Sequence, residues 1–245
     1  MNDLTISIVS HGQAKLVSDL LSDLAHLQCK APILLTLNLS EELPQTEALG
    51  GMCVVNNSTP KGFGANHNAA FVRCETPFFC IANPDIRLRD DLFPALLRAF
   101  DDPKVGAVAP LVVNAAGFVE DSARYFPTLC GLGTKALGLS NGRYPIVGVA
   151  PQPVDWIAGM FMVFRSSAFE TVGGFDEGFF LYYEDVDICV RLWKTGWRVV
   201  LVPEMRVQHD AQRASRKELR YLRWHLTSML RYLWKHWGRL PMRSL

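Results

Sequence analysis

The stretch PFFCIANPD, residues 77–85, does most to decide the fold of this chain. Its first six residues form a continuous apolar run, which predicts a buried β-strand. The run ends at Asn83, Pro84 and Asp85, a turn tripeptide that places a carboxylate directly after the strand. A helix is predicted next over residues 91–100, and a further strand over residues 105–113. Strand, turn and helix thus follow one another as in α/β proteins.

The same alternation extends along the chain in both directions. The further predicted strands are residues 4–10, 33–40, 51–56, 156–164 and 197–202, and the further predicted helices are residues 15–27, 63–72 and 184–195. This order predicts an α/β fold with a mostly parallel, Rossmann-like central sheet flanked by helices. Ligands of such sheets lie beyond the carboxyl ends of the strands, where His11, the loop of residues 56–68 and Asp85 fall.

Composition narrows the class of protein. The chain has 245 residues, 49% of them hydrophobic, and a net charge of +1, which argues against a nucleic-acid partner. Residues 206–245 carry ten Lys and Arg against two Asp and Glu, so an acidic partner is expected for this tail alone. Six scattered cysteines without CxxC spacing predict reduced thiols, and neither a signal peptide nor a membrane span is recognisable. A cytoplasmic protein, soluble or membrane-peripheral, is expected.

Two segments at the predicted sheet edge have the composition of ligand-binding turns. Asp85 presents a carboxylate that suits Mg²⁺ or Mn²⁺, although NPD is also a common turn that only caps backbone groups. The segment KGFGANHN, residues 61–68, places glycines before a helix, where backbone N–H groups approach anions and Asn66 suits sugar hydroxyls. An ordinary glycine-rich helix start remains the alternative for this loop.

The stretch GGFDEGFFLYYEDVDIC, residues 173–189, sets an aromatic run directly before three acids. On a helix, Asp187 and Arg191 are four residues apart and are predicted to form an ion pair. The 3.6-residue period points Asp185 elsewhere, and aromatic walls and nearby carboxylates favour a raised pKa, as a general base requires. The alternative is that all three acids serve the helix start. His209 follows a strand and a proline turn, and as a lone histidine it has a surface role as its alternative.

Taken in order, these pieces resemble the inverting family-2 glycosyltransferases with a GT-A fold. The matching segments read SIVSHG, KGFGANHN, NPD, VDWIAGMFMVFR, GGFDEGFFLYYEDVDICVR and VQHD, and they extend over about residues 4–215. Within that family, SIVSHG, GFGANHN, VDWIAG and the RWHL–RYL helix are similar to bacterial rhamnosyltransferases of O-antigen and cell-wall linker assembly.

The resemblance implies a role for each matching residue. Asp85 and His209 would hold a divalent metal, Mg²⁺ or Mn²⁺, that bridges the diphosphate of the donor. Asp185 would be the base that deprotonates the acceptor hydroxyl, and Glu184 would help to hold the acceptor. The remaining residues expected to contact the substrates are Ser10, His11, Asn38, Gly62, Phe63, Asn66, Asn83, Trp156 and Gly159.

The implied reaction transfers L-rhamnose from dTDP-L-rhamnose to a polyprenyl-diphosphate-linked sugar, in the synthesis of O-antigen, lipopolysaccharide or cell-wall polysaccharide. Two departures bear on the nucleotide: Leu37 and Asn38 stand where the family usually has Asp-Asn, and Pro60 stands where its loop usually has Asn. The alternatives are another nucleotide sugar as donor, or a non-catalytic subunit that binds sugar nucleotides. The sequence leaves oligomeric state and linkage open.

The chain is predicted to comprise a GT-A domain, residues 1–213, and a basic amphipathic helix within residues 214–245 that belongs to the same unit. Apolar residues recur at helical spacing at positions 219, 222, 226, 229, 230, 233 and 237. A basic, aromatic helix of this kind favours an anionic membrane surface, here the inner face of the bacterial plasma membrane. Packing on the domain or on a second subunit is the alternative.

Overall fold

The computed structural model of the chain describes residues 3–42, 51–120, 122–139, 141–209 and 219–241. The strands are β1 (Leu4–Ser10), β2 (Ile33–Leu37), β3 (Met52–Asn56), β4 (Phe78–Ala82), β5 (Ile86–Arg87), β6 (Val105–Val113), β7 (Ala123–Arg124), β8 (Gln152–Pro153), β9 (Trp156–Ile157), β10 (Phe161–Arg165) and β11 (Arg198–His209). The helices are α1 (Ala14–His26), α2 (Phe63–Phe71), α3 (Phe93–Arg98), α4 (Leu129–Ala136), α5 (Ser166–Thr171), α6 (Glu184–Lys194) and α7 (Leu219–His236).

Nine of these strands form one sheet in the order β3-β2-β1-β4-β10-β6-β11-β5, with β8 paired to β11. Strands β1, β2, β3, β4, β6 and β11 share one direction, and β5, β8 and β10 run against it. Helices cover both faces, so the predicted α/β fold with a mostly parallel central sheet is confirmed.

Side chains alternate between the two faces of the sheet, as the period of a strand requires. In β4, Cys80 and Ala82 join a core cluster with α1 and α3, whereas Phe79 and Ile81 join a second cluster with α2, α5 and α6. Tyr232 of α7 is fully buried in this second cluster. The second face therefore connects the aromatic stretch of residues 173–189 with the C-terminal helix.

Three predicted strands have clearly different bounds in the structure. The strand predicted over residues 33–40 ends as β2 at Leu37. Residues 156–164 do not form one strand: β9 pairs with β7 in a separate two-stranded sheet, and β10 enters the main sheet after a turn at residues 158–160. Pro203 does not end β11. The pairing of β11 with β6 shifts register between Val202 and Arg206, and this irregularity accommodates a residue that lacks an N–H donor.

The segment of residues 118–153, which the sequence shows only as irregular, contains β7, β8 and α4. The Thr128 hydroxyl caps α4 by accepting a hydrogen bond from the Gly131 N–H at 3.0 Å. Among the helices that the structure describes, none has the length and apolarity to cross a bilayer.

Candidate active site

The predicted site residues come together at one edge of the sheet. β1 ends at Ser10, β2 at Leu37 and β4 at Ala82, and their register places these ends side by side. β10 runs in the opposite direction, so the turn before it lies at the same edge, where the Asn83 N–H donates to the Met160 carbonyl at 2.9 Å. The last residue of β11, His209, pairs with Ile86. Strand ends thus bring together segments far apart in sequence, as expected for a ligand site in an α/β protein.

A network of asparagine amides closes one part of this edge. The Asn38 side chain is buried; its oxygen accepts from Asn57 and from the Lys61 N–H, and its nitrogen donates to His11 and to the Lys61 carbonyl. Asn66, also buried, accepts from Asn57 and donates to the Lys61 and Gly62 carbonyls. The side-chain amides of Asn38 and Asn66 thus form hydrogen bonds within the protein. These bonds fix the shape of the loop of residues 56–68.

Ser10 and His11 sit beside this network. Ser10 is fully buried, and its hydroxyl accepts from the Gln13 N–H at 3.2 Å. The Asn38 amide donates to His11 Nδ1 at 3.0 Å, which leaves the proton of the neutral imidazole on Nε2. Burial lowers the pKa of His11 despite the opposing charge of Glu41, so its imidazole ring is a neutral donor at pH 7. Leu37 is a buried core residue in β2 and offers no polar group to a nucleotide.

The glycine-rich loop is fastened to the aromatic stretch of residues 173–189. The Phe63 N–H donates to the Phe180 carbonyl at 2.9 Å, and a Cβ on Gly62 would stand only 2.7 Å from that same oxygen. The Phe63 ring packs edge-on against Phe175, with centroids 5.7 Å apart. Gly62 is therefore required for close backbone approach, and Phe63 is a packing residue that joins the loop to the segment before α6.

Asp85 and His209 meet as predicted. His209 Nε2 lies 3.2 Å from Asp85 Oδ2, and its Nδ1 lies 3.0 Å from Glu120 Oε2. Burial acts against protonation of His209, but the two carboxylates outweigh it and raise its pKa. Glu120 was not foreseen, because a lone glutamate in an irregular segment gives no signal in the sequence.

This cluster fits a hard divalent cation that takes part of its coordination from a ligand. Asp85 Oδ1 is buried and has no hydrogen-bond partner among the described residues. Among all the residues that the structure describes, no group of three or more acidic, histidine or cysteine side chains is arranged to hold a metal by itself. Mg²⁺ and Mn²⁺ sites commonly have few protein ligands and add phosphate oxygens and water. Glu120 is placed to fix the histidine ring, as carboxylates behind metal-bound histidines do.

Asp185 lies in the first turn of α6, next to the turn before β10. Its Oδ2 accepts from the Gly159 N–H at 3.0 Å, and its Oδ1 accepts from the Val186 N–H at 2.8 Å. A Cβ on Gly159 would come within 3.3 Å of the Asp185 Cβ, so a glycine permits this approach. Burial raises the pKa of Asp185, although the backbone N–H donors oppose the rise. A fixed carboxylate with a raised pKa has the properties of a general base.

Glu184 precedes it and is almost completely buried. Its Oε2 has no hydrogen-bond partner among the residues that the structure describes. Burial, and then the neighbouring charge of Asp185, raise its pKa well above the usual value for a glutamate. A protonated Glu184 can donate a hydrogen bond, which suits a residue expected to hold an acceptor hydroxyl.

A cavity of about 680 Å³ contains both carboxylates in its wall. Tyr182, Tyr183 and Trp156 supply aromatic surface, and the Trp156 indole N–H donates to the Tyr125 carbonyl at 3.0 Å. Tyr182 and Tyr183 both have left-handed backbone angles, φ +70° and +67°, a conformation rare for such residues and concentrated at functional sites. Arg124, Lys135 and His225 also line the cavity. None of these three was predicted. Each lies in a segment far from α6 in sequence, and only the tertiary fold brings it to this cavity.

The third acid of the stretch, Asp187, points away from the cavity. The predicted pair with Arg191 is confirmed, with Nε and Oδ2 2.7 Å apart. Two residues of α7 add to it: Lys235 Nζ lies 2.7 Å and His236 Nε2 2.8 Å from Asp187 Oδ1. Lys194 donates to His236 Nδ1, so His236 donates from Nε2 to the carboxylate. These partners lower the pKa of Asp187 to about 2 against the effect of burial.

Comparison with known proteins supports a common origin for this arrangement. The family model described as glycosyl transferase family group 2 matches residues 83–242. The chain is 31% identical over 243 residues to the rhamnosyltransferase WbbL of Escherichia coli K12, covering 93% of this chain and 91% of that protein. It is 38% identical over 177 residues to the N-acetylglucosaminyl-diphospho-decaprenol L-rhamnosyltransferase of Mycobacterium tuberculosis, covering 66% of this chain and 58% of that protein.

The fold is shared with solved glycosyltransferase structures. A mannosyltransferase from Pyrobaculum calidifontis, solved in complex with GDP-Man and Mn²⁺, superposes with a TM-score of 0.62 at 14% identity. The superposition covers 94% of this chain and 64% of that one. At this identity the likeness concerns the fold alone, and it confirms the GT-A fold.

Proposed function

The chain belongs to glycosyl transferase family group 2, and from this premise we propose that it is an inverting, metal-dependent rhamnosyltransferase. The observation that carries the proposal is the position of Asp185, a carboxylate fixed by two backbone N–H groups in the wall of a large cavity. The turn that holds it, through Gly159, also hydrogen-bonds the turn that presents Asp85. The proposed base Asp185 and the proposed metal-binding residues Asp85 and His209 therefore belong to the same edge of the sheet.

In the proposed reaction, one displacement occurs at the anomeric carbon of the donor. The oxygen of an acceptor hydroxyl forms the new bond to that carbon, the bond to the diphosphate oxygen breaks, and Asp185 takes the hydroxyl proton. Asp85 and His209 would hold the divalent metal, Mg²⁺ or Mn²⁺, which offsets the charge of the departing nucleoside diphosphate. Attack opposite the leaving group inverts the anomeric configuration, so one base suffices.

We propose dTDP-L-rhamnose as the donor and a polyprenyl-diphosphate-linked sugar as the acceptor. The named activities of the two relatives support rhamnose, and the name of the mycobacterial relative supports a lipid diphosphate acceptor. The aromatic side chains of the cavity support a sugar acceptor, because they present apolar surface to sugar C–H faces while Glu184 and Asp185 meet the hydroxyls. A saccharide of O-antigen or cell-wall assembly is the corresponding product.

We further propose that α7 belongs to the catalytic unit and rests on an anionic membrane, on the inner face of the plasma membrane. One face of α7 packs on the domain through Tyr232 and Ser228, whose hydroxyl donates to the Leu181 carbonyl. On the opposite face, Leu230 is 62% and Trp234 85% exposed, within a stripe that also contains Leu219, Leu222, Leu226 and Trp237. An exposed apolar stripe on a helix that is already docked suits a lipid surface.

The function is tested by mass spectrometry of products formed from dTDP-L-rhamnose and N-acetylglucosaminyl-diphospho lipid with Mn²⁺. We expect one rhamnose to be added, and Asp185→Asn to lower kcat by about 10²–10⁴-fold while leaving donor affinity intact. Asp19→Asn, a surface change on α1, is the matched control. Transfer from UDP-sugars in its place would establish the alternative donor. Donor binding without turnover in the unaltered protein would establish a non-catalytic subunit.

A further inference from the structure

A second cavity lies between α4 and α7. It has a volume of about 400 Å³, and its surface is mostly apolar. Leu129 of α4 forms one wall, Leu233 of α7 and Trp237 directly after that helix form the other, and Leu240 follows them in the chain. Leu129 is 51% and Trp237 63% exposed, so the cavity is a groove that is open to the surface of the protein.

This groove continues the cavity that contains Asp185. Pro127, Thr128 and Leu240 line both cavities, so the two spaces meet at the start of α4. A ligand that reaches Asp185 and extends past Thr128 therefore enters the groove. Because the groove continues the cavity of Asp185, its expected occupant is the far end of the acceptor that binds in that cavity.

The two cavities differ in the chemistry of their walls. The first contains the carboxyl groups of Glu184 and Asp185 and the cationic side chains of Arg124 and Lys135, whereas the surface of the groove is mostly apolar. Lys135 belongs to α4, and it lies close enough to His225 that its charge lowers the pKa of that residue, after the larger effect of burial. Positive charge thus lines the first cavity, on the helix α4 that also forms a wall of the groove.

We propose that the groove between α4 and α7 binds the first isoprene units of the acceptor lipid, with Arg124 and Lys135 facing the diphosphate. The proposal rests on the proposed function, since it assigns parts of the acceptor to parts of the same site. A cavity with carboxylates and cations that continues into an apolar groove matches an acceptor whose sugar and diphosphate are followed by a polyprenyl chain. Because a water-sized group occupies about 30 Å³, the groove holds roughly a dozen carbon-sized groups, about two isoprene units.

The tail site is tested separately from catalysis with ligands that carry no sugar. Geranyl diphosphate and methyl diphosphate are titrated into the full chain in EDTA, which keeps metal-dependent diphosphate binding at Asp85 out of the measurement. Burying two methylene groups corresponds to about tenfold tighter binding, so we expect geranyl diphosphate to bind at least about tenfold more tightly. Calorimetry gives the affinities, and the part of the tryptophan fluorescence change that Trp237→Ala removes gives a local signal.

Variants separate the groove from the rest of the surface. Leu129→Asn and Trp237→Ala are expected to remove most of the preference for the geranyl chain. Trp234→Ala in α7 and Leu137→Asn directly after α4 are the controls. Both side chains are exposed, and neither lines the groove. Lys135→Ala is expected to weaken both diphosphates by the same factor, which separates recognition of the head group from recognition of the tail.

Three outcomes would overturn the proposal. Equal affinity for the two diphosphates, or an unchanged preference in both groove variants, would show that no isoprenoid binds there. If Trp237→Ala dissociates an oligomer in sedimentation without changing the geranyl preference, the groove is an interface between copies of the chain. A normal geranyl preference without rhamnose transfer would contradict the proposed function and leave the tail site standing.

Discussion

Replacing Asp187 by Asn tests whether the third acid of the EDVD run joins α6 to the C-terminal helix. The carboxylate is completely buried and contacts Arg191, Lys235 and His236 at 2.7–2.8 Å. Asn keeps the size and one acceptor oxygen but removes the charge. Arg191 and Lys235 then lose a buried carboxylate partner, although Lys235 keeps its contact with Asp176, and removing one partner of a buried ion pair is strongly destabilising.

The size of the effect follows from the pKa of Asp187. A decrease from the usual 3.8 to about 2 means that the folded protein favours the charged form by roughly 2–3 kcal/mol. Because the pKa is depressed, this stability is fully present above about pH 4 and is lost as the pH falls through about 2. At pH 7, Asp187→Asn should therefore lower the free energy of unfolding by about 2–3 kcal/mol, and Tm by about 5–10 °C for a chain of this size.

Urea denaturation at pH 7 and thermal unfolding measure these quantities. Asp176→Asn is the matched control, because Asp176 contacts the same helix through Arg231 and Lys235 but is partly exposed, and exposed ion pairs contribute at most about 1 kcal/mol. If Asp187→Asn cost no more than Asp176→Asn, the buried network would not hold α7 in place. The reasoning that connects α6 to α7 would then be wrong.

The remaining predictions concern the proposed reaction. Because burial raises the pKa of Asp185, kcat/KM should fall on the acid side at a pH above the ordinary aspartate value of about 4; a pH profile with its acid limb at or below that value would contradict the assignment. Glu120→Gln should weaken Mn²⁺ binding by about 10–100-fold, measured by calorimetry with dTDP present, and an unchanged affinity would remove Glu120 from the site. Leu230→Asp should reduce co-sedimentation with anionic vesicles, whereas Lys104→Ala in the turn before β6 should not; equal binding of both would refute membrane contact through α7.

Much of the fold was predictable because the signals are local. The apolar runs of β1, β4 and β6 predict strands from a few adjacent residues alone. A glycine such as Gly196, which has a left-handed backbone angle, likewise marks the end of a helix locally. The place of a site residue was predictable where the end of a strand fixes it, as for Asp85 and His209, or where the start of a helix fixes it, as for Asp185. Pro203 shows the limit: the sequence indicates a strand end, but the pairing with β6 resumes after a register shift.

The direction of a side chain was harder to predict than its place in the chain. Asn38 and Asn66 lie at the predicted edge, yet their amides bond to the loop rather than project from it. A sequence shows that an amide is present and not which neighbours satisfy it. The same holds for α7. The sequence shows its apolar stripe, but not that Tyr232 and His236 are buried against the domain, where His236 contacts Asp187 of α6.

The run Glu184, Asp185 and Asp187 shows how one helix start gives three carboxyl groups different properties. The helix dipole favours the charged form of all three, so it cannot explain why the pKa values of the first two rise and that of the third falls. The difference comes from partners: among the described residues, Asp187 meets cations from α6 and α7, whereas Asp185 accepts hydrogen bonds from backbone N–H groups beside a cavity. The acid that is neutralised by side chains secures the helix, and the acid held by backbone N–H groups keeps the basicity that the proposed proton removal requires. Anchoring and the proposed catalysis can therefore lie two residues apart without interfering, because the helical period turns them toward opposite surroundings.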